Sequence, residues 1–162
     1  MEINTNNIYP IKKDDTLFYA NGISIEKRGS GMCFWKLHGK LHRENKPAFI
    51  DPDNEQRWYL NGKLHRENGP AIIQRDLPEC QFGYKAWYLN GKLHRENDPA
   101  YILAVGSQEW WINGEFLKSI CKCGENIKYN SHEIKKLSND NFYTSCERKF
   151  FCKECEESFY DY

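Results

Sequence analysis

The feature that most constrains the fold of this chain is a fourteen-residue phrase that occurs three times. The copies read WKLHGKLHRENKPA (residues 35–48), WYLNGKLHRENGPA (58–71) and WYLNGKLHRENDPA (87–100). A unit copied along a chain predicts a repeat fold, in which each copy packs on the next. We call residues 42–45, 65–68 and 94–97, which all read His-Arg-Glu-Asn, the boxes of the three units.

Each copy carries the signal of a tight turn. Asn61-Gly62 and Asn90-Gly91 lie between apolar-rich flanks, which predicts a two-residue type I′ hairpin, and the first copy has His38-Gly39 at this place. Such a turn fixes the register, so Tyr59 is expected opposite Leu64 and Trp58 opposite His65. Because side chains alternate, Trp58 and His65 should share one face and Leu64 and Arg66 the other.

The second half of each copy predicts a further strand. Proline cannot donate to a ladder and belongs at a strand start, so residues 48–50, 71–73 and 100–103 are predicted strands. Residues 51–56, 74–84 and 104–108 are predicted loops that return to the next tryptophan. They absorb the unequal spacing of the tryptophans, which is 23, 29 and 23 residues from Trp35 to Trp110.

Two weaker copies, at residues 18–22 and 110–114, extend the series at its ends. The prediction is a mostly-β fold: an antiparallel meander of about five repeated hairpins in an elongated single-layer sheet, followed by a small zinc ribbon. The repeat domain spans 1–117, with units near 18–31, 35–50, 58–73, 87–103 and 110–117, and the appendage spans 118–162. In the end copies Ile25 and Leu117 replace the box histidine, which predicts a semi-buried packing position there.

The units resemble the MORN-type repeat family, including the variant whose units read aromatic-x-x-Asn-Gly-x-Leu. Asn61-Gly62-Lys63-Leu64 and its copies carry this resemblance over residues 17–117, whereas the His-Arg-Glu-Asn-x-Pro-Ala ending departs from the common unit. Similar Leu-His-Arg-x-x-Gly-Pro-Ala repeats occur in proteins of large viruses and phages. The resemblance implies a sheet used for protein or lipid contact, without catalytic residues.

The boxes have two readings. In the first they only pack: the imidazole lies on the opposite indole, the arginine pairs with a glutamate of a neighbouring unit, and the asparagine stabilises a turn. In the second they form a ladder that binds an extended peptide, a phosphate-bearing ligand or a partner protein. The candidate partner-binding residues are His42, Arg43, Glu44, His65, Arg66, Glu67, His94, Arg95, Glu96, Trp35, Trp58 and Trp87.

Four cysteines near the C-terminus predict a metal site. Cys121 and Cys123 form one close pair and Cys152 and Cys155 another, with 28 residues between the pairs. Four thiolates suit a structural Zn²⁺, and they leave no open position for a catalytic water. Free thiols or disulfides are the alternatives.

Several further expectations accompany this site. Cys146 and His132 are substitute ligands, and Cys33 and Cys80 are expected to be isolated cysteines that only pack. Between the cysteine pairs a short helix is predicted at 131–137, with strands at 142–144 and 149–151.

Composition narrows the classes of function. Lys plus Arg and Asp plus Glu both number 23, so there is no overall attraction to nucleic acid or to an anionic membrane. No apolar run reaches the length of a membrane span, and the N-terminus lacks an apolar signal core. Seven cysteines with metal-type spacings favour a reducing, cytoplasmic compartment, which is the host cytosol if the protein is viral.

Three hypotheses of function follow. The leading one is a non-catalytic binding protein with a protein partner, such as a viral or phage adaptor or inhibitor directed at a host. The second is a nucleic-acid-binding zinc-ribbon protein, although residues 118–162 carry eight basic and eight acidic side chains. The third, a histidine-dependent enzyme, lacks a serine or cysteine at a fixed distance from the box histidines.

Overall fold

The computed structural model describes residues 11–52, 55–76, 83–129, 152 and 155, and short antiparallel strands dominate them. None of these residues belongs to a helix long and apolar enough to cross a membrane. In chain order the strands are β1 (Ile11–Lys13), β2 (Thr16–Phe18), β3 (Ile23–Lys27), β4 (Cys33–Leu37), β5 (Lys40–Leu41), β6 (Phe49–Asp51), β7 (Glu55–Arg57), β8 (Tyr59–Leu60), β9 (Lys63–Leu64), β10 (Ile72–Gln74), β11 (Tyr84–Ala86), β12 (Tyr88–Leu89), β13 (Lys92–Leu93), β14 (Tyr101–Leu103), β15 (Gln108–Ile112) and β16 (Glu115–Ile120).

Most of these strands form one antiparallel meander. Twelve strands make a sheet in the order β1-β2-β3-β4-β6-β7-β10-β11-β14-β15-β16, with β5 paired to β4, while β8-β9 and β12-β13 are two-stranded hairpins. Seven of the ten neighbouring pairs in this order are consecutive in the chain, and the other three (β4-β6, β7-β10 and β11-β14) skip only the short hairpin strands between them, as expected when each repeat packs on the next. The predicted fold class, a mostly-β antiparallel meander of hairpins with a cysteine cluster near the C-terminus, is confirmed.

The repeated hairpins have the predicted turn and register. Asn61 and Gly62 have φ values of 51° and 82°, and both signs are those that a type I′ turn requires. Tyr59 is opposite Leu64 and Leu60 is opposite Lys63. The turns at 38–39, 90–91 and 113–114 also have two residues with positive φ.

The end copies depart from this register. In the first, the Gly22 N–H donates to the Tyr19 carbonyl (3.1 Å), which makes a longer turn and puts Ile25 opposite Leu17. In the last, an irregularity at Trp110/Trp111 sets Trp110 opposite Lys118. Leu117 is therefore 58% exposed, whereas Ile25 and the three box histidines are half-buried, as expected of a packing position.

Two strands lie where loops were predicted. β7 occupies the end of the predicted loop 51–56, and β11 begins at the end of the predicted loop 74–84. The preceding strands β6 and β10 would otherwise leave one edge of backbone groups unpaired, and β7 and β11 pair with those edges. The polar composition of Glu55-Gln56-Arg57 hid this strand from the sequence analysis.

Each box lies in a segment that departs from the sheet and returns to it opposite the same tryptophan. The Trp58 N–H donates to the Ala71 carbonyl (2.8 Å), and the Trp58 carbonyl accepts from the His65 N–H (3.1 Å). The backbone N–H and C=O of one residue thus pair with the two ends of the segment that contains the box. Trp35 and Trp87 make the same two bonds at their own boxes, with N···O distances of 2.7–3.0 Å.

The main core joins the hairpins to the meander. Leu64 and Leu93 of the hairpins belong to the same buried cluster as Ile72, Tyr101 and Trp111 of the large sheet. The alanine before each unit's second strand (Ala48, Ala71 and Ala100) has no exposed surface. This close packing fixes how each unit is placed against the next.

We predict that Asn113→Ala lowers the free energy of unfolding by about 1 kcal/mol, since Asn113 has a φ of 51° and alanine is strained there. Asn113→Gly should cost less than Asn113→Ala, because glycine adopts positive φ freely. Urea unfolding of the three proteins measures this order. Alanine proving more stable than glycine would contradict the turn described here.

Candidate functional site

The arginine of each box lies over the tryptophan of its own unit. The guanidinium carbon of Arg66 is 3.9 Å from the ring centroid of Trp58, and the equivalent distances for Arg43 on Trp35 and Arg95 on Trp87 are 4.0 and 4.2 Å. The prediction that Arg66 and Trp58 occupy opposite faces was wrong. Strand alternation ends at Leu64, so the box backbone is free to turn the guanidinium back onto the indole.

A second contact fixes each of these arginines. Arg66 Nη1 donates to the Pro70 carbonyl (3.1 Å), and Arg43 and Arg95 make the same bond to Pro47 and Pro99 at 3.2 Å. Burial lowers the pKa of Arg66 because it disfavours the charged form, yet the group stays ionised at any physiological pH. The arginine therefore contacts the indole and the proline carbonyl of its own unit. One reading of the sequence had instead predicted a pair with a glutamate of a neighbouring unit, and an imidazole on the indole.

The histidine of each box connects its unit to the next turn. The Asn90 N–H donates to His65 Nδ1 (3.3 Å), and the same contact joins Asn61 to His42 (3.1 Å) and Asn113 to His94 (3.2 Å). The N–H of an asparagine at the first position of a tight turn would otherwise have only water as a partner. The box histidines thus hold successive hairpins together.

The glutamate of the box is far more exposed than its histidine. The Glu67 side chain is 78% exposed and its Oε1 is 3.9 Å from His65 Nε2, while the His65 side chain is only 14% exposed. Glu44, Glu96, Asn45, Asn68 and Asn97 are also exposed. These side chains are the part of the box that a ligand can reach.

Successive boxes enclose a groove of about 330 Å³. One wall is Arg43, Glu44 and Asn45 of the first box. The floor and the other wall are Trp58, Leu60, His65, Arg66, Glu67 and Asn68 of the next unit. Seven of the predicted partner-binding residues (Arg43, Glu44, Trp58, His65, Arg66, Glu67 and, through its bond to Asn61, the adjacent His42) therefore meet in or beside this groove, which we call the box groove.

The next unit repeats the lining of the box groove. In the first groove, residues 43–45 of one box face Trp58, Leu60 and His65 of the following unit. The equivalent residues one unit later are 66–68, followed by Trp87, Leu89 and His94. The stacking, the proline bond and the histidine contact recur there as well. Leu60 and Leu89, which sequence analysis did not single out, supply the apolar floor, and their half-exposure within a hairpin is the signal of that role.

The four predicted metal ligands come together. The Sγ atoms of Cys121, Cys123, Cys152 and Cys155 all lie within 4.8 Å of one another. Cys123 Sγ and Cys152 Sγ are 3.5 Å apart. Four thiolates about 2.3 Å from a tetrahedral ion would be about 3.8 Å apart, so this donor set fits a thiophilic metal.

A tight turn presents the first cysteine pair. The Cys121 N–H donates to the Glu125 carbonyl (2.8 Å), and the Gly124 N–H donates to the Cys121 carbonyl (2.9 Å). Gly124 has a φ of 95°, which an L side chain rarely adopts. The glycine after Cys123 thus allows the turn that brings two sulfurs to one side.

The thiols of the cluster differ in acidity. Burial opposes ionisation of Cys121, but hydrogen bonds from the backbones of Cys123 and Cys152 outweigh it and lower its pKa to about 7. Hydrogen bonds to the Cys123 and Cys121 side chains raise the pKa of Cys155 to about 12. A metal bound by the cluster would replace the protons of its thiols.

The sheet supports the cysteine cluster directly. β16 ends one residue before Cys121, and the Ile127 N–H donates to the Ser119 carbonyl (2.9 Å). Tyr129 packs on both the cysteine cluster and the main core, and its hydroxyl donates to buried Glu109 (3.4 Å). The cluster is therefore packed against the end of the repeat array.

Some predictions fall outside the described residues. These are Cys80, Cys146, His132, the helix at 131–137 and the strands at 142–144 and 149–151. Cys33 is half-buried on β4, apart from the cluster, and its thiol contacts the Gly31 carbonyl (3.5 Å). The division into residues 1–117 and 118–162 stays a prediction.

Comparison of the chain with models of protein families, with curated proteins and with solved structures finds no match in any of the three.

We predict that Arg66→Ala lowers the free energy of unfolding by about 1–2 kcal/mol, because it removes both the cation–π contact and the bond to Pro70. Arg66→Lys should restore little, since an ammonium cannot stack and donate as the planar guanidinium does. Exposed Arg75 is the matched control, and Arg75→Ala should change stability by less than about 0.5 kcal/mol. Equal effects at the two arginines in chemical denaturation would contradict the role assigned to Arg66.

Proposed function

We propose that this protein is a non-catalytic binding protein that holds a protein partner in its box grooves. The observation that supports this proposal most is the groove of about 330 Å³ between successive boxes, with an apolar floor and charged walls. Aromatic and arginine side chains are the residues that contribute most at protein interfaces. Because the lining recurs in the next unit, a partner that spans two grooves gains from both.

The chemistry of the grooves supports binding over catalysis. The Nδ1 atom of each box histidine accepts a backbone hydrogen bond, and the paired tryptophan and arginine are held by each other. In the groove as described, no serine or cysteine lies among the lining residues. A histidine without a nucleophile among the residues that line its groove suits ligand orientation better than covalent catalysis.

We further propose that the cysteine cluster holds one structural Zn²⁺. The support is the four-thiol donor set and its spacing, which leave no position for a catalytic water. When bound, the ion would connect residues 152 and 155 to the end of β16 and so stabilise the C-terminal segment. Thiols that must stay reduced for this purpose favour a reducing compartment, such as the cytoplasm.

The resemblance of the units to MORN-type repeats of viral and phage proteins adds a proposal about the partner. A host protein bound by a viral adaptor or inhibitor agrees with a rigid array of identical grooves. This step rests on resemblance, whereas the grooves themselves rest on the contacts described above.

Zinc content tests the metal proposal. We expect close to one zinc ion per chain in reduced, freshly purified protein, measured by mass spectrometry of the metal. Cys121→Ser should lose the metal and lower the melting temperature, whereas Cys33→Ser, which alters a cysteine outside the cluster, should keep both. Protein that is fully folded and free of zinc would rule out the structural role.

Groove variants test the binding proposal. Leu60→Glu combined with Leu89→Glu puts a carboxylate on each apolar floor, and we expect affinity for a purified partner to fall at least about tenfold. The partner is identified by cross-linking in a lysate of the cells in which the protein acts, and is then measured in purified form. Lys85→Glu, on an exposed position of β11 outside the groove lining, is the matched control and should bind normally.

Two results decide this experiment. The unfolding midpoints of both variants must match that of the parent protein, so that lost binding reports the groove. A partner that binds the double variant as tightly as the parent would place the interface elsewhere and contradict the proposal.

Nucleic acid is the second candidate ligand, because lysines form a row along the turns. A Cβ placed on Gly62, Gly91 or Gly114 would lie 3.6 Å from the Cβ of Lys40, Lys63 or Lys92 of the preceding unit. These three exposed cations thus follow one another at the spacing of the units. Affinity for an oligonucleotide that falls steeply with salt and is lost in the triple lysine-to-glutamine variant would favour this candidate.

A further inference from the structure

Successive box grooves are separated by a fixed distance. In the meander, β7 and β10 flank the second copy of the repeated phrase and β11 and β14 flank the third, so the sheet advances by two strands per copy. Neighbouring strands lie about 4.8 Å apart, which sets the repeat of the grooves at about 9.6 Å. The longer spacing of 29 residues between Trp58 and Trp87 does not change this distance, because β10 still pairs directly with β11.

This distance discriminates among the conformations of a bound peptide. Three residues of a β-strand span about 10 Å, but their side chains alternate, so equivalent residues face opposite sides. In an α-helix, about 9.6 Å corresponds to roughly 1.8 turns, which again misplaces the second side chain. A polyproline II helix rises about 9.3 Å in one turn of three residues, so every third side chain faces the same way.

We propose that the box grooves bind an uncharged, proline-rich peptide in the polyproline II conformation, with one apolar side chain in each groove at every third residue. This inference rests on the proposed binding function and names the class of ligand for the same grooves.

Hydrogen-bonding groups in the groove suit this ligand. A polyproline II helix has no internal hydrogen bonds, so its carbonyl groups need donors. Arg43 and Arg66 each donate one N–H bond to a proline carbonyl of their own unit and carry further N–H groups.

The charges in the groove favour a ligand without net charge. Two guanidinium groups, of Arg43 and Arg66, line it together with two carboxylates, of Glu44 and Glu67. A polyanion would gain from the arginines and be repelled by the glutamates at the same spacing. Half-exposed Leu60 offers the apolar surface on which a leucine side chain of the ligand loses contact with water, while Trp58 is buried beneath Arg66.

Two peptides of equal composition test the inference with the intact protein. The first is fluorescently labelled (Leu-Pro-Pro)4, in which a leucine recurs at every third residue. The second carries the same label, four leucines and eight prolines, but its leucines are alternately two and four residues apart. Both adopt polyproline II, so only the first places a leucine in each groove. We expect fluorescence anisotropy to show at least about tenfold tighter binding of the first peptide.

Single-groove variants extend this test. Leu89→Glu removes the floor of one groove, and we expect it to abolish the advantage of the regular peptide, while Lys85→Glu should preserve it. Equal affinity of the two peptides for the parent protein would overturn the inference. The inference would also be overturned if neither peptide binds, or if neither competes with a partner whose binding depends on Leu60 and Leu89. In that case the proposed function would still stand.

The remaining outcomes separate the two proposals. A partner and peptides that all bind regardless of the groove variants would overturn both the inference and the proposed function. Displacement of the regular peptide by a twelve-residue oligothymidylate, at low salt only, would overturn the inference in favour of a nucleic-acid ligand.

Discussion

The backbone of one tryptophan per unit determines the rest of the structure. The Trp58 carbonyl accepts from the His65 N–H, and the Trp58 N–H donates to the Ala71 carbonyl. The segment between His65 and Ala71 therefore begins and ends opposite a single residue. The arginine of this segment then covers the indole and donates to the proline that ends it. Hydrogen bonds, stacking and burial of the ring therefore act on the same few residues, and loss of one weakens the others.

This arrangement explains why part of the repeated phrase is constant and why its spacing is not. Trp58, His65 and Arg66 have structural contacts that recur in every unit, and the alanine after each proline has no room for a larger side chain. The residues that vary in number lie between β10 and β11, where they do not alter strand pairing. Successive units therefore pair in the same way, even though the tryptophans are unequally spaced in the chain.

Much of this could be predicted from the sequence, because the signals are local. Asn61-Gly62 fixes a turn and a register by backbone geometry alone, and two close cysteine pairs suffice to predict a four-thiol cluster. The stacking of Arg66 on Trp58 could not be predicted by strand alternation, since it depends on where the ladder ends. β7 was missed because Glu55 and Arg57 owe their burial to neighbours in the sheet and to their mutual ion pair.

The cysteine cluster, which could hold a metal ion, lies at the end of the array. In the earlier units the strand that follows the turn offers its free edge to the next hairpin, as when the Gly91 N–H donates to the Leu64 carbonyl (2.8 Å). β16 has no such successor among the described residues, and the chain itself pairs with its end, where Ile127 donates to Ser119. An open edge invites pairing with another chain, and a repeat array needs a distinct terminal unit. The turn that carries Cys121 and Cys123 lies between Ser119 and Ile127. A bound ion would therefore hold the segment up to Ile127 against β16, so that β16 is not open to pairing with a further strand.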